Sequence, residues 1–186
     1  MNITREITAL ALAVSASFAA NATQPLDPLP APFKACSLTD VSPTADACAG
    51  WYAGNLINGS PQDNQWQQDA LALIGLPGWV QPWVEKKDFK NTNTVTFETV
   101  MFGETWVGMH LGAASGATNP PGLGDTGTAF FRINFTTPTN TITMNYAGLS
   151  NAAIYATQPV PEPETYALLL AGLGVVGFMA RRRKSA

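Results

Sequence analysis

The chain has 186 residues, 46% of them hydrophobic and only 12% charged, with a formal net charge of -3. Between Thr23 and Val160, ten acidic side chains stand against five basic ones (Lys34, Lys86, Lys87, Lys90 and Arg132), so no basic stripe is available to meet phosphates and nucleic-acid binding is excluded. The 16 Gly and 14 Pro predict many turns and few long helices.

The opening run, "MNITREITALALAVSASFAANATQPL", has a polar start with Arg5 and an apolar stretch from about Ile7 to Phe18. Ala20 and Ala22 then occupy the two positions a signal peptidase inspects. This predicts a signal peptide over residues 1–22, cut after Ala22. Export places the only cysteines, Cys36 and Cys48, in an oxidising compartment, where the pair is expected to form one disulfide. Closing so short a loop restricts the unfolded chain by about 3 kcal/mol. Two Cys and the single histidine, His110, fall short of a four-ligand zinc set, and neither "GDTGT" nor "DNQWQQD" supplies the oxygens of a calcium loop. No metal and no cofactor is expected.

Residues 23–34, "TQPLDPLPAPFK", contain four prolines and predict an extended spacer. A helix is then well marked: Ser60 as N-cap, Pro61 at the first helical position, Asp63 in the first turn and Gly75 beyond the end. Its apolar face is predicted to be Trp66, Ala70, Leu73 and Ile74.

Period-two runs follow. In residues 94–102, Val95, Phe97 and Met101 alternate with Thr94, Thr96 and Glu98. "TWVGMHL" groups Val107, Met109 and Leu111, "TAFFRINFT" groups Ala129, Phe131, Ile133 and Phe135, and "TNTITMNYA" groups Ile142, Met144 and Tyr146. Residues 152–157 form a last strand, and residues 112–128 read as a Gly-rich surface loop. The pattern predicts a mainly β domain over 35–157: a jelly-roll-like antiparallel β-sandwich with wet outer faces and one short amphipathic helix.

Residues 158–165, "QPVPEPET", form a stiff linker. Tyr166 to Ala180 carry no charge and make fifteen residues, about 22 Å of helix against a bilayer core of about 30 Å. Arg181, Arg182, Arg183 and Lys184 decide for a single membrane helix over 166–180 with a basic cytoplasmic tail over 181–186, because basic side chains snorkel and stay inside. "GLGVVG" (Gly172–Gly177) matches a dinucleotide fingerprint but lacks the acid about twenty residues on, so its glycines read as helix-packing positions.

This ending resembles the PEP-CTERM sorting signal of Gram-negative bacteria. The matching elements are Val160, Pro161, Glu162 and Pro163, the apolar span, and Arg181 to Lys184, in that order over about the last 27 residues. The resemblance implies a membrane enzyme, exosortase, as processing partner, after signal peptidase. It implies a transient stay in the inner membrane with the ectodomain outside, then release to the cell surface or beyond, where exopolysaccharide and biofilm matrix are made. The ectodomain is similar to a module of other PEP-CTERM proteins through "CAGWYAGNLINGSP", "WVGMHLG", "GTAFFRINF" and "SNAAIYAT", a resemblance that brings no activity with it.

Candidate chemistry in the ectodomain is sparse. His110 with Ser115 and Asp125 allows a triad to be drawn, without a G-x-S-x-G elbow; a surface or half-buried strand histidine is the plainer reading. Glu98 and Glu104 could serve a glycan hydrolase or lyase. Trp79 and Trp83, in a Pro/Gly loop, are a possible ligand surface. Alternating threonines (Thr92, Thr94, Thr96; Thr137, Thr139, Thr141, Thr143) allow an ice-binding face or an ordinary wet one. The expectation is a non-enzymatic surface or matrix protein that binds exopolysaccharide or other envelope components, with a hydrolase or lyase as the alternative.

Overall fold

The structure, a computed structural model, describes residues 25–79, 83–112, 126–159, 169 and 171–173. The predicted signal peptide, the linker beyond Pro159, the basic tail and most of 166–180 lie outside the described residues. Among the described residues, no helix is long and apolar enough to cross a membrane.

A 3-10 turn (Leu38–Asp40) leads into β1 (Val41–Ser42) and β2 (Ala47–Ala53). Then come α1 (Pro61–Leu73), β3 (Glu85–Thr92), β4 (Thr94–Leu111), β5 (Gly127–Met144) and β6 (Leu149–Ala156). All strands join one antiparallel six-stranded sheet in the order β1-β5-β4-β6-β3, with β2 also paired to β5. The mainly β, antiparallel expectation with one short helix is met; the two-sheet sandwich is corrected to a single bent sheet. The reason is continuity. The four strands read separately from the sequence are the two halves of β4 and of β5, 18 residues each. Their ladder passes through the bend by register shifts at Thr96/Met101 and Met101/Gly103, and bulges of this kind add twist and curvature without breaking the sheet.

The curl brings β3 back to β4, two strands away in the sheet order. The Glu85 carboxylate on β3 accepts from the Glu98 amide at 2.9 Å and the Thr99 amide at 2.7 Å on β4. Partial burial pushes the Glu85 carboxyl up, but these amides, the Thr99 hydroxyl and the Lys87 ammonium outweigh it, and its pKa is lowered.

The concave face encloses one core, with Val95, Phe97, Ile142 and Met144 from one half of the ribbon and Val107, Met109, Phe131 and Ile133 from the other. Among the described residues, the convex face is covered over its loop-proximal half only. There Phe130, Ala153, Tyr155 and Tyr52 pack under Leu56, Ile57, Trp79 and the Ala70–Leu71–Ile74 stripe of α1. Gly108 lets the Tyr155 ring cross the sheet, since a Cβ there would sit 3.0 Å from its Cε2 atom.

α1 starts as expected, with Ser60 Oγ accepting from the Asp63 amide at 3.1 Å. Its inward face is Gln67, Ala70, Leu71 and Ile74; Leu73, expected inside, is 70% exposed. An amide occupies the core position that an apolar template assigns elsewhere. The Pro-rich segment is extended, and from Pro25 it is docked on the domain. The Asp27 carbonyl accepts from Gln62 Nε2 (2.7 Å) and Trp66 Nε1 (3.0 Å), and the Phe33 amide donates to the Trp51 carbonyl (3.0 Å). It lies along the outer edge of β2, and prolines protect such an edge from further pairing. Cys36 and Cys48 form the expected disulfide.

Candidate functional site

Antiparallel partners share a face of the sheet. Register therefore aligns Tyr52, Thr128, His110, Asn151 and Asp88 in one polar row across five strands on the convex face. His110 is 5% exposed, a correction to the expected surface or half-buried position, because the sheet is covered here on both sides. Its Nδ1 lies 3.1 Å from the Gly127 carbonyl and 3.2 Å from Thr128 Oγ1. A carbonyl only accepts, so Nδ1 carries the proton. Thr128 Oγ1 in turn donates to the Gly54 carbonyl (2.8 Å) and accepts from the Leu56 amide (3.1 Å). Burial lowers the His110 pKa below 6.5, against the opposing pull of the Gly127 and Gly54 carbonyls. Asn151 Oδ1 is buried and makes no hydrogen bond among the described residues. Ser115 and Asp125, the partners drawn for a triad, lie outside the described residues.

The aromatic group centres on Gln67, which the sequence did not single out. Gln67 Oε1 accepts from Tyr155 Oη at 2.8 Å and Trp83 Nε1 at 2.9 Å, and its Nε2 donates to the Asp63 carbonyl at 3.1 Å. Trp79 is buried edge-on to Tyr155, with ring centroids 4.7 Å apart. Trp83 is half-buried, and Lys86 Nζ stands 5.7 Å from its ring centroid. Burial pushes the Tyr155 phenol well above its ordinary range.

A second anchor missed by the sequence is Asp40, buried and bound by the Ser37 amide (2.9 Å), Trp51 Nε1 (3.1 Å) and Tyr146 Oη (2.8 Å). Burial, the bond to Asp40 and its charge push the Tyr146 pKa up to about 12. Only tertiary contact identifies such residues; an isolated Asp or Gln in a polar stretch carries no signal of its own.

The carboxylates Glu98 and Glu104 each face a different cation. Glu98 lies 3.6 Å from Lys87 Nζ, and Glu104 lies 3.8 Å from Arg132 Nε. The threonines come together as the period predicts. Thr94 opposes Thr143 with hydroxyls 3.3 Å apart, and Thr96 opposes Thr141 at 3.4 Å. Ser42 opposes Thr143 on its other side. These side chains lie on the convex face where neither α1 nor the Pro-rich segment covers it, and no charged residue occurs from Ile133 to Leu149. Glu98 borders the patch.

Residues 159–184 match the family model of the PEP-CTERM protein-sorting motif. The chain carries a PEP-CTERM sorting motif. The match spans Val160 to Pro163 and Arg181 to Lys184, the residues singled out in the sequence. A PEP-CTERM motif marks an exported chain that exosortase handles on its way to the cell surface. Neither the curated proteins nor the solved structures contain a match to the chain.

Proposed function

We infer that this PEP-CTERM protein is a non-enzymatic surface or matrix protein whose ectodomain binds a neutral, polyhydroxylated polymer of the envelope, the exopolysaccharide being the first choice. The observation that carries the reading is the open threonine patch, bordered by Glu98, on a chain marked for the cell surface. Paired hydroxyls offer donors and acceptors at strand spacing to the hydroxyls of a neutral sugar. The patch suits ice less well, because the register shift after Thr96 limits the regular repeat to two cross-strand threonine pairs. The inner membrane is the transient partner, through residues 166–180 and the basic residues that follow.

The test uses the processed protein recovered from its host, sedimented with the host's own exopolysaccharide. Co-sedimentation without new reducing ends supports the reading. Release of reducing ends favours a hydrolase or lyase, and thermal hysteresis without co-sedimentation favours ice. Replacing Pro161, Glu162 and Pro163 together by Ala is expected to leave unprocessed protein in the inner membrane; unchanged fractionation would contradict the sorting route.

A further inference from the structure

The last fastened residues of the ectodomain abut the sorting motif. Ala156 ends β6 opposite Trp106. Beyond it, Thr157 fits into the bulged part of β4: its Oγ1 accepts from the Phe102 amide at 3.2 Å and lies 2.8 Å from Thr105 Oγ1. The Gln158 amide donates to the Phe102 carbonyl at 3.2 Å. The Gln158 side chain lies over Gly103, whose φ of +59° is left-handed and whose missing Cβ leaves the room; a Cβ there would overlap the Gln158 amide group. The matched motif begins at residue 159, so a single residue separates the fastened backbone from Val160. At most about 3.6 Å of chain per residue is available to bridge that gap.

An enzyme that grips extended backbone on both sides of its target needs free chain on both sides. On the N-terminal side, Thr157 and Gln158 are already bound to β4. We propose that Thr157–Gln158 is a latch on the Phe102–Gly103 bulge that gates exosortase: the enzyme engages the motif only when the latch opens, so the folded ectodomain sets the rate of its own release. The proposal rests on the PEP-CTERM reading. Gln158 is exposed, so opening is a local event at a strand end and does not require unfolding of the sheet.

The experiment is a pulse-chase of the full-length chain in its host, with and without exosortase. Two variants are compared: Thr157→Val, which keeps shape and removes the hydroxyl, and a six-residue Gly/Ser insertion between Gln158 and Pro159. Both are expected to shorten the processing half-life, Thr157→Val by about tenfold, the factor that matches about 1.4 kcal/mol of lost hydrogen bonding. Unchanged half-lives overturn the latch. Slower processing of the insertion variant also overturns it, because the bulge would then be helping the enzyme dock. Acceleration by Thr157→Val alone overturns it as well, as a general destabilisation. Wild-type chain processed in neither strain instead removes the sorting reading beneath it.

Discussion

The β4–β5 ribbon passes through two different surroundings. At the loop end of β4, residues 107–111 are all buried, because the core fills one face and α1 with Trp79 and Tyr155 covers the other. At the opposite end, residues 94–98 alternate strictly between buried and exposed, and threonines occupy the open face. One hydrogen-bonded ladder therefore serves both as an internal wall and as an exposed face. What differs is whether the rest of the chain returns to cover it. The lesson is that period-two alternation identifies a strand in either setting but does not say which of its faces stays wet.

That limit explains what the sequence concealed. The apolar face of every predicted strand was legible, since Val95, Val107, Phe131, Ile142 and their neighbours all point into one core. The convex face was not. Trp106, Gly108 and His110 read as a wet face, and tertiary contact with Tyr155, Ile57 and the end of α1 covers it. β3 escaped because "EKKDFKNT" has no apolar alternation; lysines guard it as an edge strand. β2 escaped because "ACAGWYA" is dominated by small residues and takes a register shift between Cys48 and Trp51. The sorting motif was legible because it is linear, and the threonine patch because its period is two. Gln67, Glu85 and Asp40 act through partners 11 to 106 residues away, such as Trp51, Glu98, Tyr155 and Tyr146, and carry no local signature.

Four changes bear on the difference between the halves. Phe131 lies in the core that both halves share, and Phe131→Ala is expected to cost about 4 kcal/mol in chemical denaturation, with both halves lost together. Separate transitions for the two halves would contradict a single core. Gln67→Leu acts on the covered half alone. It strands the Tyr155 hydroxyl and the Trp83 indole, for an expected loss of about 3 kcal/mol, and Tyr155→Phe in the same chain should restore part of it. Glu85→Ala removes the tie between β3 and the open half. About 2 kcal/mol should be lost, with faster amide exchange at Glu98 and Thr99.

The fourth change is one of pH. His110 is the only histidine, and its folded-state pKa is lowered by burial. Above 6.5 the ring is neutral folded or unfolded, and it contributes no pH dependence. As pH falls below 6.5 the unfolded chain binds the proton first, so stability declines until the folded-state pKa is passed. The melting temperature should therefore fall between pH 7 and pH 5, and His110→Gln should flatten that slope. An unchanged slope in the variant would show that His110 does not titrate as its burial requires. The Glu85 pKa is also lowered, and in a carboxylate that shift stabilises the fold: the contribution is full above 4.5 and is lost as pH falls through the depressed folded-state value.

The smallest effect on stability carries the largest expected effect on function. Thr96→Val with Thr141→Val keeps the shape and strand preference of the open face and should change stability by no more than about 0.5 kcal/mol. The most direct measurement is co-sedimentation of this processed double variant with the host exopolysaccharide, beside wild type and Trp83→Phe. Retention is expected to fall by about tenfold in the threonine variant and to be unchanged in Trp83→Phe. Wild-type retention by the threonine variant, with loss in Trp83→Phe, would contradict it and move the ligand to the covered half.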